Sequence, residues 1–326
     1  MAAALATVLV RVRHARTAAR WAAVEEAWEP RLLAVLTGDV PAATLLEALT
    51  PAERPYFVDF LGRFARRVTG PERDRLLEVA RPLLPEIRAG LRAPLPSRRA
   101  RSADLLGVLG PAGELADLRA ALEDSSPLVA MVAARALARL GGEDHARLLV
   151  AHLHRFAPWR PSHLAAMLAA VGPEAARPLR VALEDLSLPS RARAVVADAL
   201  ALLNDAESGD AAVTALRTTD DPELRAAALR LLARVGHAEH LPAVREMAAA
   251  PEEAVRLAAV RALGALGAGP EVPLLAAALR DPSRWVAEQA ARALAAGPGR
   301  TALLAAAGRG GPVALLAREA LLEGGA

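Results

Sequence analysis

Seven short helical phrases recur along this chain, and the residues that close them stand at a nearly constant interval. The closing residues are Gly110, Gly141, Gly172, Asn204, Gly236, Gly267 and Gly297, spaced by 31, 31, 32, 32, 31 and 30 residues. A fixed period of this length marks stacked supersecondary units, none of which can bury its apolar face alone. The constraint is severe: neighbouring units must pack on one another in chain order.

Each phrase has a physical reading. A Pro or polar turn opens it, an Ala/Leu-rich helix follows, and Gly or Asn ends it, as in 221–236, 251–267 and 281–297. Asp or Ser before Pro is a helix start, because the side chain caps free N–H groups and Pro suits the first turn. Gly or Asn at the end predicts a left-handed C-cap. Val255, Ala258, Ala259, Ala262, Leu263 and Leu266 follow the i, i+3, i+4, i+7 spacing of a buried helix face. A second, shorter helix comes next, as in 115–123 and 272–280. The unit is a helix–turn–helix of about 31 residues, within the range of helical repeats.

Composition agrees. The chain is 54% hydrophobic but only 3% aromatic, with one Ile (Ile87) and one Tyr (Tyr56), which disfavours strands. There is no Cys, which removes disulfides, thiolate catalysis and Cys-ligated zinc. All 40 basic residues are Arg, so there is neither Schiff-base chemistry nor a P-loop lysine. The net charge of +3 is uneven: residues 1–102 carry 17 Arg against 11 acids, and the remainder is net acidic. An acidic repeat region works against phosphate binding, so nucleic acid is not the expected partner.

The repeats resemble the HEAT family, and in particular its short bacterial HEAT-like, or phycobilisome-lyase-type, form. The matching features are the D-P-x-x-x-R turn and the A-x-x-A-L-x-x-L-G helix. The resemblance covers about residues 91–307. It implies an all-α fold, an α-solenoid of about seven helix pairs, and adaptor function. Residues 308–326 read as a C-terminal capping helix.

Residues 1–90 fit the repeat poorly and read as a helical N-terminal region. Thr50-Pro51-Ala52-Glu53 has the form of a capping box opening a helix to about Thr69, and its Tyr56, Phe57, Phe60 and Phe64 read as core. Residues 2–10 are apolar and are followed by Arg11, Arg13, Arg16 and Arg20. A helix over 1–27 has three open readings: a soluble cap, the remnant of a membrane anchor with its cytoplasmic flank, or an interfacial helix. The order of segments is similar to bacterial membrane-anchored HEAT proteins. That resemblance implies a cytoplasmic location, on the membrane face, and a membrane partner such as a glycosyltransferase.

The search for chemistry returns little. HEAT-like di-iron hydroxylases use His-Glu dipeptides, and none occurs among the seven histidines. His152 and His154 stand about 200° apart on a helix; His237 and His240 could share a face but have no evident third ligand. Alkylpurine DNA glycosylases of HEAT-like fold use Trp and Asp in a basic groove; here Asp281 and Trp285 lie close together in sequence, but in a net acidic region. Nothing indicates bilin binding as in phycobilin lyases. The expectation is therefore a protein-binding scaffold with no catalytic residue, no metal and no cofactor.

Two columns of charge are the candidate binding features. One holds Arg99, Arg193, Arg225 and Arg256. The other holds Asp104, Arg135, Asp198, Arg230 and Arg261, with Arg292 in the last repeat. Two readings stay open for the first column: pairing with turn acids such as Asp185, Asp220, Glu252 and Asp281, or gripping an acidic partner segment in a groove. Arg193, Arg225, Arg256, Arg230, Arg261 and Trp285 are the candidate partner-binding residues.

Overall fold

The computed structural model describes residues 26–110, 115–267 and 269–323. The reading of a membrane-proximal helix over 1–27 thus falls almost wholly outside the described residues. Every described element is helical. No described helix is long and apolar enough to cross a membrane.

The chain falls into two compact units, divided between Leu140 and Gly141. The first contains α1 (26–37), α2 (Ala42–Glu47), α3 (Arg54–Phe64), α4 (Pro71–Ala80), α5 (Leu84–Gly90), α6 (Pro96–Leu109), α7 (Leu115–Leu122) and α8 (Pro127–Leu140). Its N-terminal core is aromatic: Trp28 meets Phe57 edge to face at 5.4 Å, and Phe60 meets Phe64 at 5.3 Å. Phe57 and Phe60 are buried, while Tyr56 and Phe64 are partly exposed. Glu53 reaches back to the Thr50 N–H at 3.0 Å, as a capping box requires. The regular helix begins only at Arg54 and ends at Phe64, short of Thr69. Further on, α6 and α8 lie side by side, with α5 against α6 and α7 against α8.

The second unit contains α9 (Glu143–Ala151), α10 (Pro161–Ala169), α11 (Ala176–Glu184), α12 (Ser190–Leu203), α13 (Gly209–Thr218), α14 (Pro222–Val235), α15 (Leu241–Met247), α16 (Glu253–Leu266), α17 (Val272–Ala278), α18 (Arg284–Ala296), α19 (Arg300–Ala307) and α20 (Pro312–Glu323). Long and short helices alternate along the sequence from α6 to α19, except that α10, in a long-helix position, has 9 residues like α9 and α11 beside it. In this unit the long helices α10, α12, α14, α16 and α18 pack successively on one another. The short helices α11, α13, α15 and α17 form a second layer, each against the long helix that follows it.

Alanine explains how closely the long helices approach. In α14, Ala226, Ala227, Ala228, Leu229, Leu231 and Leu232 are buried, so the small side chains set the spacing and the leucines fill it. Each fully buried Leu contributes about 2 kcal/mol through apolar burial. Between α16 and α18 even alanine would be too large at one point: a Cβ on Gly264 would lie 2.6 Å from the Ala293 Cβ.

The closing residues divide into two kinds. Gly141, Gly172 and Asn204 adopt positive φ, and Asn204 (φ 53°, ψ 42°) is a left-handed C-cap. Gly110, Gly236, Gly267 and Gly297 are extended instead, which corrects the expectation of a left-handed cap throughout. At Gly236 the reason for glycine is space. A Cβ there would lie 2.6 Å from the Leu232 carbonyl oxygen and 2.9 Å from Leu266. The expected N-caps also differ. Asp221 does cap α14, accepting from the N–H groups of Glu223 and Leu224. Asp281 instead accepts from the Ser283 N–H at 2.8 Å in a turn, with its carboxylate shared with an arginine.

Candidate functional site

The first arginine column holds the turns together. Arg99 sends Nε and Nη2 to the two oxygens of Asp124 at 2.8 and 2.9 Å, while Nη1 donates to the carbonyls of Ala93 and Pro94. Arg256 does the same with Asp281 (2.8 and 3.0 Å) and the carbonyls of Ala250 and Pro251. In both, the carboxylate stands 25 residues after the guanidinium, so each pair joins one inter-repeat turn to the next. The Arg256 bond and the Ser283 N–H hold the Asp281 carboxyl below its ordinary pKa, against the opposing effect of burial.

Arg193 and Arg225 are variants of this device. Arg193 is only 3% exposed. Its Nε donates to the Leu183 carbonyl at 2.8 Å, and Nη2 reaches Thr218 Oγ1, again 25 residues on. Burial lowers its pKa, opposed by the charge of Asp185. The enclosed guanidinium of Arg193 is spent on the turns around its own repeat. Arg225 donates to the Thr219 carbonyl at 2.9 Å and pairs with Asp220 at 2.6 Å. Asp220 and Asp281 are thus two of the turn acids named from the sequence.

A second set of pairs joins the short helices to the turns at their other end. Arg180 of α11 meets Asp205 at 2.7 Å, and Arg245 of α15 meets the fully buried Glu271. These staples leave one long-helix face open.

That face carries a groove of about 650 Å³ in the second unit, crossing α10, α12, α14 and α16. Its floor is small: Ala165, Ala166, Ala201, Ala233 and Ala265. Three arginines stand over it, Arg230 and Arg234 from α14 and Arg261 from α16. Arg230 makes a two-point pair with Asp198 of α12, both bonds at 2.8 Å. Arg234 is held by the Asn204 side chain. Arg261 is exposed and has no carboxylate at ion-pair distance among the described residues. Leu202, 55% exposed, adds an apolar edge. Three guanidinium groups against one carboxylate leave the groove positive within a net acidic chain segment.

The structure therefore brings Arg230 and Arg261 together and sets Arg193, Arg225 and Arg256 apart from them. Trp285, 66% exposed on α18, does not line this groove. Arg234 and Leu202 were missed in the sequence, although each stands four residues after a column residue, Arg230 and Asp198, and so shares its helix face. His237 and His240 serve a turn: His240 Nδ1 accepts the His237 N–H at 2.8 Å. Among the described residues no three potential ligands gather as a metal site.

Residues 209–295, spanning α13 to α18, match the family model for HEAT repeats. Among solved structures, Kap121p is similar at 16% identity and a TM-score of 0.41, over 80% of this chain and 35% of that one. Kap121p bound to RanGTP gives 14% identity and a TM-score of 0.45, over 87% and 36%. Human deoxyhypusine hydroxylase gives 22% identity and a TM-score of 0.32, over 74% and 96%. The chain thus spans about a third of the length of Kap121p. A comparison with curated protein sequences gives no match.

Proposed function

We propose that the protein is a non-catalytic scaffold that holds an acidic segment of a partner protein in the groove of α10, α12, α14 and α16. The observation that carries this reading is the trio Arg230, Arg234 and Arg261 over an alanine floor. Small side chains let a partner backbone or helix approach closely. The guanidinium groups supply oriented donors for carboxylates, and charge complementarity selects acidic over basic segments. Leu202 offers contact to one apolar side chain of the same segment.

A photo-crosslinking residue at Ala233, in the groove, is the direct test, with the same residue at Glu246 on the short-helix layer as control. The expected result is a partner adduct from position 233 whose crosslinked peptide is acidic. Adducts from position 246 alone, or adducts at 233 to basic peptides, would refute the reading.

We place this scaffold in the cytoplasm at a membrane face, on the strength of the apolar-then-Arg order of residues 2–20. Co-sedimentation of the full chain with anionic vesicles, lost on Arg11/Arg13/Arg16/Arg20→Gln, is the expected outcome. No sedimentation of the unaltered chain would remove the membrane from the proposal.

A further inference from the structure

The third repeat is one helical turn short. Its long helix, α10, has 9 residues, whereas α12, α14 and α16 each have 14. Three of the five missing residues are lost at the N-terminal end. Pro161 stands 11 residues before its closing Gly172, whereas Pro222 stands 14 before Gly236. The chain fills part of the vacated length with a 3₁₀ turn, Leu153–Phe156, and a loop through Pro158. The first turn of α12 thereby loses part of the neighbour it would otherwise pack against.

What remains is a pocket of about 310 Å³. Its floor is apolar and buried, from Leu153, Leu164 and Val195. Leu188 and Ala192, from around the start of α12, complete one wall. Two residues bring polar groups to it, His154 and Arg191, both exposed. Arg191 is held in place: its Nη2 donates to the carbonyls of Ala157 at 2.9 Å and Trp159 at 3.3 Å. Among the described residues nothing engages its Nη1 or Nε. A guanidinium fixed through one nitrogen, at the mouth of an apolar pocket, has the form of an anion anchor.

We infer that this pocket binds a small apolar carboxylate, an aryl or medium-chain acid whose body fills the apolar cavity and whose carboxylate meets Arg191. The volume sits near the lower end of the ~300–1,000 Å³ range of ligand cavities, which suits a compact molecule. An apolar cavity of this kind gains from filling because its lining lacks contacts on the open side. The site is independent of the groove, which none of its lining residues enters.

The test uses the full chain with 3-phenylpropionate and octanoate as probes, and their amides as neutral counterparts, in ligand-detected NMR titrations. Both acids are expected to bind saturably, and the amides at least about tenfold more weakly, the value of a charge-assisted hydrogen bond. Arg191→Gln should weaken the acids by about tenfold while leaving the amides unchanged. Ala192→Leu should abolish binding of all four by filling the cavity. Ala151→Leu, which fills it from the rim, takes its place if a thermal melt shows that Ala192→Leu does not fold. Val181→Ser on α11, outside both the pocket and the groove, should leave all four affinities unchanged. No saturable binding of either acid overturns the inference. So does equal binding of acid and amide, or binding that survives the filled cavity.

Discussion

Arg256 and Asp281 meet in a two-point pair, Nε to Oδ2 at 2.8 Å and Nη2 to Oδ1 at 3.0 Å, that ties the start of α16 to the turn before α18. Both side chains are largely enclosed, at 15% and 9% exposure. The same guanidinium also gathers two carbonyls of its own turn. One side chain thus settles the hydrogen-bonding needs of two successive turns, as Arg99 does with Asp124 in the other unit.

Removing that guanidinium should cost more than an exposed ion pair. Arg256→Ala leaves a shielded carboxylate with only the Ser283 N–H and strands two carbonyls. We expect a loss of about 2–3 kcal/mol in denaturant unfolding. Arg225→Ala should cost less, since its partner Asp220 is fully exposed. If the double variant Arg225→Ala/Arg256→Ala lost partner binding while its stability stayed intact, these residues would belong to the interface and not to the scaffold.

The pair also sets a pH response. The Asp281 pKa is depressed in the folded chain, chiefly by Arg256. Its stabilising contribution is therefore fully present above the unfolded carboxylate value, about 3.9, and is lost as pH falls through the folded value. Urea midpoints of the wild type and Asp281→Asn should differ by a constant amount at pH 6–8 and converge below about pH 4. A difference that persisted undiminished at pH 3 would mean that Asp281 acts through packing and not through charge.

The period of the closing residues and the apolar spacing of the long helices were enough to read the repeat, because both follow from local geometry. The role of the first arginine column was readable only as two alternatives. A guanidinium at Arg256 reaches a carboxylate 25 residues away, and no local rule says whether it turns to Asp281 or to solvent. Gly236 and Gly267 were identified correctly as closers but for the wrong conformation. Their need for glycine comes from a carbonyl of the helix each one closes and from a side chain of the next helix or turn, and the second of these appears only once the chain is folded. The short α10 was present in the interval from Pro161 to Gly172, yet the pocket depends on what the loop after Phe156 does with the freed space. Arg230 and Arg261 were visible as a column, whereas the alanine floor beneath them required knowing which face α10 and α12 leave open.

Helix spacing should be sensitive at Gly264. A side chain there points at Ala293 across the contact between α16 and α18, with no room for a Cβ at 2.6 Å. Gly264→Leu is expected to destabilise by about 2–3 kcal/mol, since overpacking outweighs the gain in helix propensity of about 1 kcal/mol. Thermal unfolding measures this. Pairing it with Ala293→Gly should recover part of the loss, because the second change removes the atom that the first one meets.

The groove makes a separate demand on charge. Arg261 has no carboxylate partner among the described residues, so reversing it changes little inside the fold, whereas Arg230 is tied to Asp198. Arg261→Glu should therefore leave the unfolding midpoint within about 0.5 kcal/mol of the wild type. It should also weaken an acidic partner segment by about tenfold or more, through loss of one charge-assisted contact and gain of a repulsive one. Binding to the groove should weaken with salt, as a contact between exposed charges does when the screening length falls to about 3 Å at 1 M. Fluorescence anisotropy with a labelled acidic peptide, recovered from the crosslinked adduct at position 233, gives both numbers. Affinity indifferent to Arg261→Glu and to salt would mean that the partner reads the alanine floor and Leu202 alone.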